Sequence, residues 1–598
     1  MHPKVLCKLL FQSHIFIFGG DDASNSRADN PSTNTDSTPT PNELLMYHTI
    51  TNTWISKDAI PGNYMKTNLV KWDDSIVVAA GEVEKGAPTA SIWKVTPVER
   101  NMFFGIVNFI VIGFYLAALI GVGVFFSFRQ KNTDDFFRGG QRIPWFVAGC
   151  SIFATMLSSL TFIAIPAKAF MTDWTLIVIN ICIVLITPFV VAYVLPFFRH
   201  IDATSAYEYL EKRFNVTARL FGSTSFILFQ IGRMSVVMFL TALPLAAITP
   251  LSVVQCILIM GIISIVYCTM GGLEAVVWTD TIQTFVLMGG ALLSYIIVIH
   301  NLEGGFGDFF SIAVNNGKFN MVNWDFSASS YTTAAIWVVI LGGIGQNLVP
   351  YVSDMAVVQR YMSVSDEKRA AKGIWTNAIM VIPATLIFFG LGTALFVFYQ
   401  ANPEKLDPTL QNDAIFPLFI ARELPIGIAG LVVAGVFAAA QSTLSTSMNS
   451  TSTAFVTDFV RRFNGRLSER AYLQMARGTT VLFGALGTIV AILLALSDIK
   501  SLWDVFMAIL GLLGSSMCGL FMLGMYTRRA NGLGAVTGAF TGAIGLYLVK
   551  VYTSMHFLLY TIVGIGLCFV VGYVVSLLVG GKQNQLEGLT VYTLHKGK

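Results

Sequence analysis

Charge is scarce in this 598-residue chain: Asp, Glu, Lys and Arg make up 12% of it, about half the share usual in soluble domains. Hydrophobic residues reach 54% and mean hydropathy is +0.67. Together these exclude a soluble protein of this size and imply a polytopic membrane protein. Cysteine is sparse too. Cys150, Cys182, Cys256, Cys268, Cys518 and Cys568 lie in or beside apolar segments, only Cys7 does not, and none has metal-ligand spacing. They read as small buried hydrophobes. No phosphate-binding loop, catalytic triad or metal-binding motif occurs, so ATP coupling is not expected and the chain does not read as an enzyme. Met1–Leu10 has basic residues but no long apolar run, and no signal peptide is expected there.

What is present, from residue 102 onward, is a series of apolar segments of membrane-spanning length. About thirteen are expected, each needing about 20 residues: 102–127, 143–169, 172–198, 217–244, 250–270, 274–299, 331–359, 371–400, 425–459, 471–497, 501–526, 532–552 and 555–580. Basic residues cluster in alternate loops, at Arg129/Lys131/Arg138/Arg142, Arg199/Lys212/Arg213, Arg360/Lys368/Arg369/Lys372, Arg461/Arg462/Arg466/Arg470 and Arg528/Arg529, with Lys582, Lys596 and Lys598 on the same side. By the positive-inside rule that side is cytoplasmic. The N-terminus and the polar loops Asn301–Ser330 and Ala401–Glu423 then lie outside, and the C-terminus inside.

Residues 1–100 differ from the rest. An Asn/Ser/Thr/Pro-rich stretch, Asn25–Asn42, interrupts short β-like runs: Ile15–Gly20, Thr51–Trp54, Ser75–Glu82 and Ile92–Val95. A strand, a Gly pair, then Tyr and Trp at intervals resembles the blades of a kelch propeller, and is similar to the last blades of kelch-type sialic acid epimerases. About two blades cannot close a propeller of about 4–8. The segment is expected to be the remnant of a fused or misassigned reading frame. Residues 101–598 form the transmembrane domain.

Several segments place polar groups at membrane depth. Phe153–Thr161 is rich in hydroxyls. Leu341–Asn347 is rich in glycine, with Pro350 beyond. Counted from the second span, the two are first and sixth members of two five-helix sets, and a matched pair of interrupted helices marks an inverted-repeat transporter. Their unwound carbonyls can ligate a cation; close helix packing is the alternative use of the glycines. Ser442, Ser445 and Thr446 stand at i, i+3 and i+4, with Thr443 one step round. Such hydroxyls coordinate a hard cation without bringing charge into lipid; bonding back to the preceding helical turn is their alternative role. Asp280 is an intramembrane carboxylate whose expected partner is Na⁺ or H⁺. Arg233, mid-span in Gln230–Met234, can clamp a carboxylate with two parallel hydrogen bonds, or pair structurally with a buried acid. Asp354, ahead of Gln359-Arg360-Tyr361 and near the inner face, reads as structural or gating.

Gly271–Gln283 with its Trp-Thr-Asp, Ser353-Asp354 with Gln359-Arg360-Tyr361, and Ala438–Ser447 resemble the sodium:solute symporter family over all but the N-terminal part. Ser151–Thr155, Leu157–Ser159, Thr161-Phe162 and Ile165–Ala169 are most similar to that family's bacterial sialic acid symporters. The resemblance implies an all-α, LeuT-like 5+5 inverted repeat with one extra leading helix, in a bacterial inner membrane. It implies Na⁺-driven uptake by alternating access, with one or two coupling Na⁺ ions. One Na⁺ would be held by the Ala154 and Leu157 carbonyls, Ala439, Ser442 and Thr443, and a second by Asp280, Ser442, Ser445 and Thr446. Substrate would meet Ser158, Thr161, Asn180 and Arg233, the last on the sialate carboxylate. The chain departs from these symporters at Met156, Leu176 and Asn180, where they carry Thr, Phe and Gln, so the polyol side of the pocket differs. Expected partners are a sialic acid or related acidic sugar, Na⁺ and lipid, with no nucleic acid and a monomeric state. Competing readings are symport of another sugar or a monocarboxylate, a bifunctional epimerase–transporter, and a membrane sensor.

Overall fold

The computed structural model describes residues 8–11, 13–17, 44–57, 66–72, 75–84, 87–95, 104–157, 159–201, 203–408, 412–497, 510–580 and 586–594. The N-terminal part holds two antiparallel sheets. One has the order β1 (Lys8–Phe11), β2 (His14–Ile17), β3 (Leu44–His48), β4 (Thr53–Lys57). The other pairs β5 (Lys66–Trp72) with β6 (Ser75–Glu84), and β6 with β7 (Ala87–Thr89) and β8 (Trp93–Val95). Phe16, Met46, Ile55, Ile76 and Val78 form their joint core. The strand runs expected at 75–82 and 92–95 form strands over 75–82 and 93–95, and the run at 15–20 does so over 15–17, its Gly pair lying outside the described residues, while Thr51 and Asn52 make the turn ahead of β4.

The remainder is helical: α1 (Ile106–Ser127), α2 (Trp145–Met156), α3 (Ser159–Met171), α4 (Ile177–Phe189, continuing to Ile201), α5 (Val216–Ile248), α6 (Val253–His300), α7 (Ile336–Val352), α8 (Met355–Met362), α9 (Glu367–Ala401), α10 (Ile428–Phe455), α11 (Glu469–Ala495), α12 (Ser516–Tyr526), α13 (Gly532–Tyr552) and α14 (Tyr560–Val579). Polar caps fix where spans begin. Asn215, Ser252, Asp366, Ser468 and Asn531 each accept a hydrogen bond from a backbone amide of the first turn, satisfying donors that lipid would leave orphaned. Among the described residues, nine helices are long and apolar enough to cross a membrane, or up to eleven if each of two bent pairs is one span.

Two features separate that number from thirteen. Part of the expected span 501–526 lies outside the described residues. And α6 is a 48-residue helix, about 72 Å long at 1.5 Å per residue if unbroken, far beyond a bilayer of about 30 Å. It is interrupted at Gly272, whose φ of 55° and ψ of −151° only glycine adopts readily. A Cβ there would sit 2.8–3.0 Å from Phe136. The interruption falls in the gap expected between 270 and 274.

The expected pair of broken helices needs one correction. The first break is where the sequence suggested, at Leu157: α2 and Thr161–Met171 diverge by 56°. The second is not at Gly342–Asn347. α7 runs unbroken through those glycines, and the 58° bend comes at Ser353–Asp354, between α7 and α8. The glycines serve packing instead. A Cβ on Gly342 would lie 2.7 Å from Leu558 atoms, and one on Gly343 2.9 Å from the Cys182 sulfur.

The β3–β4 turn rests on the bundle end where α3 and α9 terminate. Gln400 donates to the Thr51 carbonyl (3.2 Å), and the His48 ring lies 6.2 Å from that of Phe170. Burial pushes the His48 imidazole down to about 3 and that of His14 to about 4, so both are neutral at pH 7.

Candidate functional site

The breaks in α2/α3 and α7/α8 face α10, whose entire hydroxyl cluster is buried. Gln441, Ser442, Thr443, Ser445, Thr446 and Ser447 are each at most 1% exposed. Each hydroxyl buried there needs a hydrogen-bond partner, and Ser442, Thr443 and Ser445 each reach a carbonyl of the preceding turn of α10.

The first set of oxygens converges where α2 ends. Ser442 Oγ lies 3.1 Å from both the Ala154 and Ala439 carbonyls, and Thr443 Oγ1 lies 3.4 Å from the Ala439 carbonyl. The Leu157 carbonyl belongs to the residue at the break itself, with extended φ/ψ of −91° and 102°. Neutral oxygens from a broken helix and from the helix it faces suit a dehydrated hard cation.

The second set is one turn away. Asp280 is fully buried; its Oδ2 accepts from Ser151 Oγ (2.5 Å) and Arg360 Nη2 (3.3 Å). Its Oδ1 is buried without a hydrogen-bond partner. Thr446 Oγ1 accepts from Arg360 (2.5 Å) and sits 3.3 Å from Thr155 Oγ1. Ser445 Oγ donates to the Ser442 carbonyl (3.3 Å).

Arg360 corrects the sequence reading. It was expected among the cytoplasmic loop charges, yet it is 0% exposed and forms an ion pair with Asp280. It belongs to α8, the short limb beyond the second break, which folds back into the bundle. Arg213 is likewise buried rather than in solvent, donating to the carbonyls of Gly524, Thr527 and Ala530. Ser151 and Gln230 were also missed. Helical spacing links both to residues already named: Ser151 is i−3 to Ala154, and Gln230 i−3 to Arg233, hence each shares a helix face with one of them.

Arg233, on α5, reaches the first break. Its Nη2 donates to the Thr155 carbonyl (2.7 Å) and its Nη1 to Asp354 Oδ2 (3.3 Å). Asp354 caps α8 by accepting from Ala356 N (2.9 Å) and also accepts from Gln230 Nε2 (3.0 Å). Asn180, on α4, donates to Thr385 Oγ1 of α9 (3.0 Å). Further along α9, Asn377 lies 3.4 Å from the Met156 sulfur. Thr161 is half-buried in α3, and Ser158 lies outside the described residues. The structure therefore gathers Arg233 and both sets of oxygens near one break, and carries Asn180 on the neighbouring α4–α9 contact.

A bundle of apolar helices, two of them broken beside buried oxygen ligands, defines a secondary transporter of the ion-coupled class. The chain belongs to the sodium:solute symporter family, which residues 136–542 match. It is 41% identical over 463 residues to the sodium/sialic acid symporter SiaT of Proteus mirabilis, covering 77% of this chain and 93% of that one. It is 38% identical over 476 residues to the sodium/sialic acid symporter NanT of Aliivibrio fischeri, covering 79% and 93%. It also superposes on a solved Na⁺-coupled sialic acid symporter, in a substrate-bound outward-open state with a novel Na⁺ site, with a TM-score of 0.76 at 40% identity. That match covers 80% of this chain and 99% of the other.

Proposed function

We propose that the protein couples a Na⁺ gradient to uptake of a sialic acid such as N-acetylneuraminate by alternating access. The observation that carries this is Arg233 beside the α2/α3 break, one residue from a carbonyl that Ser442 also reaches. An anion clamp and a cation site thus share the last turn of α2, next to the break, so binding either partner orders the same backbone. Ala154, Leu157, Ala439, Ser442 and Thr443 are the proposed ligands of one Na⁺. Asp280, Ser442, Ser445 and Thr446 are those of a second. Thr161, Asn180, Ser158 and Arg233 are the proposed substrate contacts, with Arg233 on the carboxylate. Two breaks at matching positions support a 5+5 inverted repeat, and the Gly272 interruption supports thirteen spans by dividing α6 in two.

The remaining basic loops support an N-terminus outside and a C-terminus in the cytoplasm; the β3–β4 turn meets the same bundle end as the polar loops. The two sheets are read as kelch-like blades left over from an epimerase-type propeller. Removing residues 1–100 is expected to leave Na⁺-driven uptake in place, with expression and insertion checked by fluorescence-detected size exclusion. Loss of uptake from correctly inserted protein would make the sheets part of the machinery.

Proteoliposomes decide the coupling ion. An inward Na⁺ gradient is expected to drive N-acetylneuraminate accumulation, and a pH gradient alone is not. Accumulation with the pH gradient alone would assign the carboxylate Asp280 to a proton instead.

A further inference from the structure

Two buried ion pairs lie side by side and are joined twice. Arg233 pairs with Asp354, and Arg360 with Asp280. Asp354 and Arg360 stand at the start and near the end of one short helix, α8, and interact electrostatically across it. Thr155 makes the second link: its carbonyl accepts from Arg233, while its hydroxyl meets that of Thr446, which accepts from Arg360. The result is an alternating row of charges, Arg233⁺, Asp354⁻, Arg360⁺, Asp280⁻, running from the proposed substrate clamp to the proposed second ion site. All four side chains are at most 12% exposed, so each depends on its neighbours for compensation.

We propose that this row couples substrate to cation, with Asp354 and Arg360 as positioning residues; the inference rests on the sialate reading of Arg233. A substrate carboxylate on Arg233 displaces Asp354. The freed Asp354 charge draws Arg360 along α8. Asp280 is then left without its guanidinium and takes a Na⁺. Before binding, the four formal charges cancel. Adding one anion and one cation keeps the sum at zero, whereas adding either alone leaves a buried charge uncompensated. The unpartnered Asp280 Oδ1 is the acceptor already available to the arriving ion. Arg360 acts as a tethered cation that holds the ion site until the anion arrives.

The test is the effect of Na⁺ on N-acetylneuraminate affinity in the full-length protein in detergent, measured by calorimetry. Wild-type protein is expected to show the roughly 5–150-fold coupling typical of linked sites. Asp354→Asn is expected to bind each ligand but to reduce the coupling to within about twofold. Arg360→Gln is expected to bind Na⁺ at least about tenfold more tightly without sialate, since the competing cation is gone, and Arg360→Lys to restore coupling in part. Wild-type coupling in Asp354→Asn, or unchanged or weaker Na⁺ binding in Arg360→Gln, would overturn the proposal. If Asp354→Asn does not fold, the two Arg360 variants decide. If the wild type binds no sialate, the substrate reading has failed, and the Na⁺ affinity of Arg360→Gln still judges the row by itself.

Discussion

Arg233→Ala is expected to abolish saturable N-acetylneuraminate uptake and the thermal stabilisation that sialate confers, while Na⁺ still stabilises the protein. Two of the guanidinium's donors are engaged in the structure, one on Asp354 and one on the Thr155 carbonyl. A carboxylate arriving at this planar fork gains charge-assisted hydrogen bonds in a desolvated setting. Truncating one partner of such a pair costs about 2–5 kcal/mol, a loss of roughly 30- to 4,000-fold in affinity. Part of the effect has another origin. Without Arg233, Asp354 loses its ion-pair partner in the interior, and stability falls by about 3–5 kcal/mol. The double variant Arg233→Ala/Asp354→Asn removes that penalty, and it should recover the melting temperature without recovering sialate binding. Arg233→Lys keeps the charge but not the fork, and is expected to fall between. Sialate affinity unchanged in Arg233→Ala would remove this residue from the substrate site.

The legible part of this protein was its chemistry rather than its geometry. A run such as Gln441–Ser447 stands out in an apolar segment because buried hydroxyls need a reason, and the structure buries every one of them. Asp280 and Arg233 stood out likewise, as charges at membrane depth. Leu157 could be found because hydroxyl-rich sequence crowds the break. The second break could not be found in this way. Gly342–Gly345 offered a stronger local signal than Ser353-Asp354, but those glycines face Leu558, Cys182 and Ile562 at contact distance, and only tertiary packing distinguishes a glycine that lets helices touch from one that lets a helix unwind. Arg360 was misplaced for a related reason. With Lys368, Arg369 and Lys372 close behind, it looks like one more loop charge. Only the bend at Asp354 turns α8 inward and carries Arg360 to Asp280.

That ion pair sets the outcome of the remaining substitution. Asp280→Asn is expected to lower the Na⁺ Hill coefficient of transport from about two towards one if both proposed sites operate. The amide keeps the shape and one oxygen of the carboxylate but not its charge, and the remaining ligands, Ser442, Ser445 and Thr446, are neutral. A coefficient unchanged near two would exclude the second site. The substitution also leaves Arg360 buried without its ion-pair partner, with Asp354 across α8 as the remaining acidic neighbour, at a cost of up to about 3–5 kcal/mol. A fall in melting temperature is therefore expected whether or not Asp280 binds an ion, and it cannot be scored as loss of Na⁺. Asp280→Asn/Arg360→Gln separates the two. Removing both charges should return most of the stability, because an ion pair replaced by neutral groups of similar shape is close to neutral overall. The Hill coefficient should stay low, since the anionic ligand is still missing. Recovery of stability without recovery of the second ion is the result that assigns Asp280 to Na⁺; recovery of both would make it a partner of Arg360 and nothing more.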